Sequence, residues 1–277
     1  MIHSVYHLFK DLVDKNHLFK EIQRLEDFPF DTNLLSCRNR GKFPDLAIKT
    51  NQNNSLFTGG ELIELKDSRS FSISSFNSTI PTGRKSIDSI ITSDNSAIKK
   101  QMEENGNHIF DLPERDVFYL IRGKNRGKTK VVLIHGSFFE TIKSNELISQ
   151  SFGQVLTERL KEKGLDIGNI KDILTDVFSE QDSFSKVRNV DKASVKLRFR
   201  IMTEIKAEGN ILNSRQYQQI CDNSISLIIP CHSDIDKKIA TERFETVFEP
   251  QKRHLFHIFQ IKHHLNGFFI VFSSILE

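Results

Sequence analysis

Two short runs constrain the fold more than any other feature: Phe43-Pro44-Asp45-Leu46-Ala47-Ile48-Lys49-Thr50 and Gly60-Glu61-Leu62-Ile63-Glu64-Leu65-Lys66-Asp67. Each reads as a short β-strand, and residues 51–55 between them are rich in turn formers. Alternate side chains of a strand share a face, so Glu64 and Lys66 project from one side of the second run while Ile63 and Leu65 project from the other. Pairing the runs as a hairpin brings Asp45, which opens the first, near Glu64 and Lys66, late in the second. Two carboxylates and one amine then converge over an apolar sheet. Such a group can hold a divalent cation and a water molecule.

The 277-residue chain is long enough to bury a substantial core, as one large domain or two modest ones. Its formal net charge of +3 neither requires nor excludes nucleic acid, so local charge has to decide. Three cysteines (Cys37, Cys221, Cys231) without Cys-x-x-Cys spacing argue against a disulfide framework or a structural zinc site. No signal peptide is visible, and no stretch approaches the ~20 apolar residues of a membrane span. These features lead us to expect a soluble, cytoplasmic protein.

Val5, Leu8, Phe9, Leu12, Leu18, Phe19, Ile22 and Leu25 recur at helical spacing, predicting one amphipathic helix over residues 4–26 or two broken near Asp14-Lys15-Asn16. After the hairpin, residues 68–96 carry ten serines and little periodicity, which predicts an extended segment. Two apolar strands follow at 117–121 and 131–134. The basic turn between them, Arg122-Gly-Lys-Asn-Arg-Gly-Lys128, is one residue short of a P-loop and joins two strands, so it does not bind nucleotide. Helices are expected over 144–163 and near 167–177, a basic strand over 195–201, a strand at 226–230, a charged helix near 235–248, a His-rich helical run at 254–265 and a strand at 268–272. The pattern is α/β (α+β): a mixed sheet flanked by helices, with additional C-terminal α/β elements. A core over residues 1–165 is expected, followed by a recognition and dimerisation region over 166–277 that either stands apart or packs with the core.

Pro44-Asp45, eighteen intervening residues and Glu64-Leu65-Lys66 fit the signature Pro-Asp…(Asp/Glu)-x-Lys. At these residues the chain resembles the PD-(D/E)xK nuclease superfamily, and most of all its type II restriction endonucleases. The resemblance covers residues 1–165 through the order helix, hairpin, strand, strand, helix, and it implies a restriction-endonuclease-like core. It further implies Mg²⁺ as cofactor with Mn²⁺ as substitute, Asp45, Glu64 and the backbone carbonyl of Leu65 as metal ligands, and Lys66 beside the attacking water. Double-stranded DNA as substrate, a homodimer and a cognate DNA methyltransferase as genetic partner complete what it implies. The residues agree with this chemistry, since hard carboxylate oxygens suit Mg²⁺ and phosphodiester hydrolysis needs a metal to offset phosphate charge and acidify water. A third acid could come from Glu21 or Glu26.

Phosphate contacts are expected from Lys124, Arg126 and Lys128 of the basic turn and from the Lys196, Arg198 and Arg200 face of the later strand. A competing Glu204-Ile205-Lys206 lacks an upstream Pro-Asp, Asp191 lying outside any evident strand. His254, His257, His263 and His264 show no metal-binding pattern. Two alternatives stay open: a repair or recombination nuclease using the same hairpin, and a non-catalytic DNA-binding protein working through its basic strand.

Overall fold

In a computed structural model of the chain, describing residues 3–39, 43–51, 58–73, 81–91, 96–105, 112–140, 154, 157–164, 186–188, 194–196 and 210–277, the apolar spacing of the first segment forms helix α1 (His3–Asp14). Val5, Leu8, Phe9 and Leu12 make its buried stripe. The helix stops where the polar Asp14-Lys15-Asn16 interrupts that stripe, and a short α2 (Leu18–Glu21) follows. Thus the second of the two expected arrangements is the one adopted.

The chain divides into two units, one of Met1–Ser74, Pro81–Glu140 and Ala207–Glu277 and one of Ser75–Ile80 with Thr141–Lys206. The last quarter of the chain, from Ala207, belongs with the hairpin in the first unit. In the first unit, β1 (Leu35–Arg38), β2 (Leu46–Ile48), β5 (Leu62–Ser68), β7 (Glu114–Asn125), β8 (Lys128–His135), β11 (Ser224–Pro230), β13 (Gly267–Ile275) and β12 (His257–His263) lie side by side in that order. With β6 (Arg84–Ser86) on β7, they make a nine-stranded sheet among the described residues. The β5–β7 and β8–β11 pairs are parallel and the rest antiparallel, so the sheet is mixed. A two-stranded ribbon of β3 (Thr50–Asn51) and β4 (Thr58–Gly59) lies at the tip of the hairpin.

Val117 to Ile121 of β7 are all buried, as a strand covered on both faces requires. One sheet face, carrying Ile63, Phe118, Leu120, Leu133, Leu227 and Phe272, packs with α1 and, after α3 (Ala97–Glu104) in chain order, α4 (Asp234–Val247) into the main core. Phe244 of α4 stacks on Phe272 with ring centroids 4.6 Å apart. Ser233 and Asp236 cap α4 reciprocally, each side chain accepting from the other's backbone N–H, which fixes where that helix begins. The opposite face of β5 and β7 carries Glu64, Lys66 and Tyr119. No helix of the described residues is long and apolar enough to cross a membrane.

Two expectations need correction. The His-rich run is not a helix: after a short α5 (Pro250–Arg253), residues 257–263 form edge strand β12, paired with β13 from His257↔Ser273 to His263↔Gly267. Ile261 and His263 point inward at period two while Gln260 and Lys262 stay exposed, and Gly267 supplies the positive φ (81°) that the tight connection requires. The basic turn is also far shorter than its sequence suggests. β7 continues to Asn125 and β8 starts at Lys128, so only Arg126 and Gly127, both at positive φ, make the turn.

In the second unit, residues 157–162 are helical, as expected, and β9 (Lys186–Arg188) pairs antiparallel with β10 (Ser194–Lys196). The rest of the 144–163 helix, the helix near 167–177 and residues 197–206 lie outside the described residues.

Candidate functional site

The β2–β5 register places Leu46 opposite Ile63 and Ala47 opposite Leu62. Continuing it by one residue sets Asp45 opposite Glu64 on the same face of the sheet. The Ile48 N–H donates to the Glu61 carbonyl (2.9 Å), which makes 48/61 a hydrogen-bonded position. Such positions alternate, so 46/63 and 44/65 are the next of that kind, while 45/64 is the closer, non-bonded kind with Cα atoms about 4.5 Å apart. The two carboxylates are therefore cross-strand neighbours. Lys66 completes the group, its Nζ 2.9 Å from Glu64 Oε1.

The same register explains the proline. Position 44 should exchange both backbone bonds with Leu65, but Pro44 has no N–H to give the Leu65 carbonyl. The Leu65 N–H is taken instead by the Asp45 carboxylate, Oδ2 accepting at 2.8 Å. Both backbone groups of a residue at a bonded position point to the same edge, so the Leu65 carbonyl faces the edge from which Asp45 reaches its N–H.

Asp45 and Glu64 are both buried. Burial first, and the neighbouring charge of Glu64 after it, lift the Asp45 pKa to about 6, against the bond from Leu65 and the Lys66 ammonium. The negative charge of Glu26, on a 3₁₀ turn (Leu25–Asp27), also acts on Asp45, whereas Glu21 is exposed at the end of α2. Of the two candidate third acids, Glu26 is therefore the one whose charge reaches the site. Lys66 is half-buried, with its ammonium committed to Glu64.

These residues fit a small hard dication. Among the described residues no group of three or more His, Cys, Asp or Glu could hold a metal. Mg²⁺, however, characteristically takes one or two carboxylates and fills its shell with water and substrate oxygens. Asp45, Glu64 and the Leu65 carbonyl supply oxygen alone, and a cation would offset the cost of burying the Asp45 carboxylate beside Glu64, which raises its pKa. No protein-family model, curated protein or solved structure matches the chain.

The expected phosphate-binding residues fare unevenly. Lys124 donates to the carbonyls of Lys20 and Ile22 (both 3.0 Å), closing the end of α2. Lys128 pairs with Asp222 at 2.6 Å. Arg126 is exposed at the turn. Lys196 closes β10, and Arg198, Arg200, Asp191 and the Glu204-Ile205-Lys206 triplet lie outside the described residues. His263 is spent on packing and turn formation, its Nδ1 accepting from the Leu265 and Asn266 N–H groups. Cys37, Cys221 and Cys231 are free thiols.

Sequence reading missed two neighbours of the site and one buried acid at the start of the same strand. Tyr119 lies opposite Glu64 in the β5–β7 ladder, its phenol held protonated by burial and by Glu64. Lys85 of β6 lies in the serine-rich segment. Glu61, at the base of β5, is fully buried, and its Oε1 accepts from the Val5 N–H (3.3 Å) in the first turn of α1. Burial lifts the Glu61 pKa from 4.5 to about 7. The folded state thus holds this proton more tightly than the unfolded chain, so its contribution to stability is full below about 4.5 and is lost as pH rises through 7. In Glu61→Gln, melting temperature should fall less steeply between pH 4.5 and 7 than in the parent protein. Equal slopes across that window would refute the assignment.

Proposed function

We propose that the protein is a Mg²⁺-dependent endonuclease hydrolysing phosphodiester bonds of double-stranded DNA at a specific sequence, built on a restriction-endonuclease-like core. The observation that carries this reading is the Asp45 carboxylate held on the Leu65 N–H, between Glu64 and the Lys66 ammonium that Glu64 binds. Asp45, Glu64 and the Leu65 carbonyl would hold the Mg²⁺, which supplies charge neutralisation at the phosphate and acidifies a bound water. Lys66, tethered by Glu64, is a compact ammonium placed to orient the attacking water and to stabilise negative charge as it develops. Burial of both carboxylates lowers the local dielectric and strengthens each of these interactions. The reading carries with it a homodimer, whose two-fold axis matches a palindromic site, and a neighbouring gene for a DNA methyltransferase.

The test is incubation of the full chain with plasmid DNA and Mg²⁺, beside Asp45→Ala and Lys66→Ala. Discrete fragments from wild type, lost in both variants, are expected. Activity confined to branched, nicked or damaged DNA would make it a repair enzyme. Salt-dependent binding without cleavage in Mg²⁺ or Mn²⁺ would make it a binding protein. Cleavage unchanged in both variants would remove the hairpin from the chemistry.

A further inference from the structure

Lys85 sits on β6, opposite Arg115 of β7, in the segment whose sequence suggests only an adaptable loop. Its ammonium lies 4.3 Å from the centre of the Phe43 ring, two residues before Asp45. Burial lowers its pKa below the ordinary lysine value, and the charge of Glu64 acts the other way. The side chain is half-buried, and among the described residues it makes no hydrogen bond or ion pair. Lys85 is therefore a half-buried cation within reach of the Glu64 charge, and among the described residues the contact it makes is with an aromatic face.

That arrangement is costly unless an anion arrives. A cation–π contact returns part of the lost hydration, but a buried ammonium is satisfied by hydrogen bonds to an anionic acceptor. Lys66 cannot serve a second anion freely, because Glu64 already holds it. Asp45 and Glu64 also repel an incoming phosphodiester, and Lys66 offsets one of those two charges.

We propose that Lys85 binds the substrate phosphodiester, its ammonium donating to a non-bridging phosphate oxygen at the Asp45–Glu64 site while the Phe43 ring fixes its position. The proposal rests on the nuclease reading and adds a fourth side chain to Asp45, Glu64 and Lys66. Phosphate is the fitting ligand chemistry because a flexible three-donor ammonium suits a tetrahedral oxyanion and carries no base specificity.

The test uses the full chain as wild type, Lys85→Met and Lys85→Arg. Plasmid cleavage is followed in Mg²⁺, and binding of a labelled duplex fragment of that plasmid is followed in Ca²⁺ across salt concentrations. Lys85→Met should lower kcat/KM by about 10–100-fold, the loss expected of one charge-assisted hydrogen bond. It should also reduce the slope of log affinity against log salt by about 0.9. Lys85→Arg, which keeps the charge, should restore the slope and most of the cleavage, with all three proteins melting within a few degrees of one another. A Lys85→Met protein with wild-type kcat/KM and salt slope would overturn the proposal while leaving the nuclease reading intact, and so would an Arg variant no better than Met. If wild type binds DNA without cutting it, the nuclease reading falls and the salt slope alone decides for or against Lys85. If wild type neither binds nor cuts, both fall.

Discussion

Arg122→Met should destabilise the protein by about 3 kcal/mol, a large share of the ~5–15 kcal/mol that holds a domain together. Arg122 is 1% exposed, and all five N–H groups of its guanidinium are used. Nε and Nη2 reach the two oxygens of Asp67 at 2.7 and 3.0 Å, Nη1 reaches the carbonyls of Phe19 and Ile22 at 3.1 and 2.9 Å, and Nη2 also reaches that of Gln23 at 3.0 Å. Asp67 in turn accepts from the Leu25 N–H at 2.7 Å. One side chain thus satisfies the C-terminal carbonyls of α2 and ties that helix, and the turn bearing Glu26, to the end of β5. Methionine is close in volume and offers no donor, so the Phe19 and Gln23 carbonyls and the Asp67 carboxylate lose the guanidinium, while the Ile22 carbonyl keeps Lys124. Lysine retains the charge but cannot reproduce the planar fork, and Arg122→Lys should recover less than half of the loss. Denaturant unfolding at neutral pH measures both variants. A loss below 1 kcal/mol for Arg122→Met would show that water or neighbouring side chains replace the fork.

Arg122 also marks a boundary of what the sequence reveals. Beside Gly123 and four further basic or polar residues it reads as part of a solvated turn, and only the β7–β8 pairing, which runs on to Asn125↔Lys128, draws it into the interior. Local composition misleads here because a long hairpin carries its strands past the last apolar residue. β12 failed for a related reason. An edge strand buries only alternate residues on one side, and a run of His, Phe, Ile and Lys satisfies helical and strand periods about equally until its partner β13 is known. The hairpin of β2 and β5 was legible because its charged residues are few, fall at period two and are separated by turn formers. Lys85, Tyr119 and Glu61 were not, since each acquires its meaning from a non-local neighbour: Phe43 across 42 positions of chain for Lys85, Glu64 across the parallel ladder for Tyr119, and the first turn of α1 for Glu61. The part Pro44 plays at the Leu65 carbonyl emerges only when the bonded and non-bonded positions of the ladder are counted.

Asp45→Asn should separate catalysis from stability, moving them in opposite directions. The asparagine side chain can still accept from the Leu65 N–H, so the local backbone keeps its geometry. What disappears is a buried negative charge beside Glu64. Because the folded pKa of Asp45, about 6, stands above the unfolded value of 3.8, this group's contribution to stability is complete below about 3.8 and is lost as pH rises through 6. Removing the charge should therefore raise the melting temperature at pH 8 without added metal and change it little at pH 4. On the nuclease reading cleavage should fall by about 10³-fold, roughly 4 kcal/mol of transition-state stabilisation, because a ligand of the proposed metal site is gone. Mg²⁺ should raise the melting temperature of wild type at pH 8 and leave that of Asp45→Asn unchanged, since a ligand stabilises only the state that binds it. In wild type the Mg²⁺-induced shift should shrink below about pH 6, where Asp45 holds its proton against the metal. Equal Mg²⁺ shifts in both proteins would place the metal elsewhere. A lower melting temperature for Asp45→Asn at pH 8 would mean that the carboxylate is compensated within the fold, leaving no burial cost for a cation to offset.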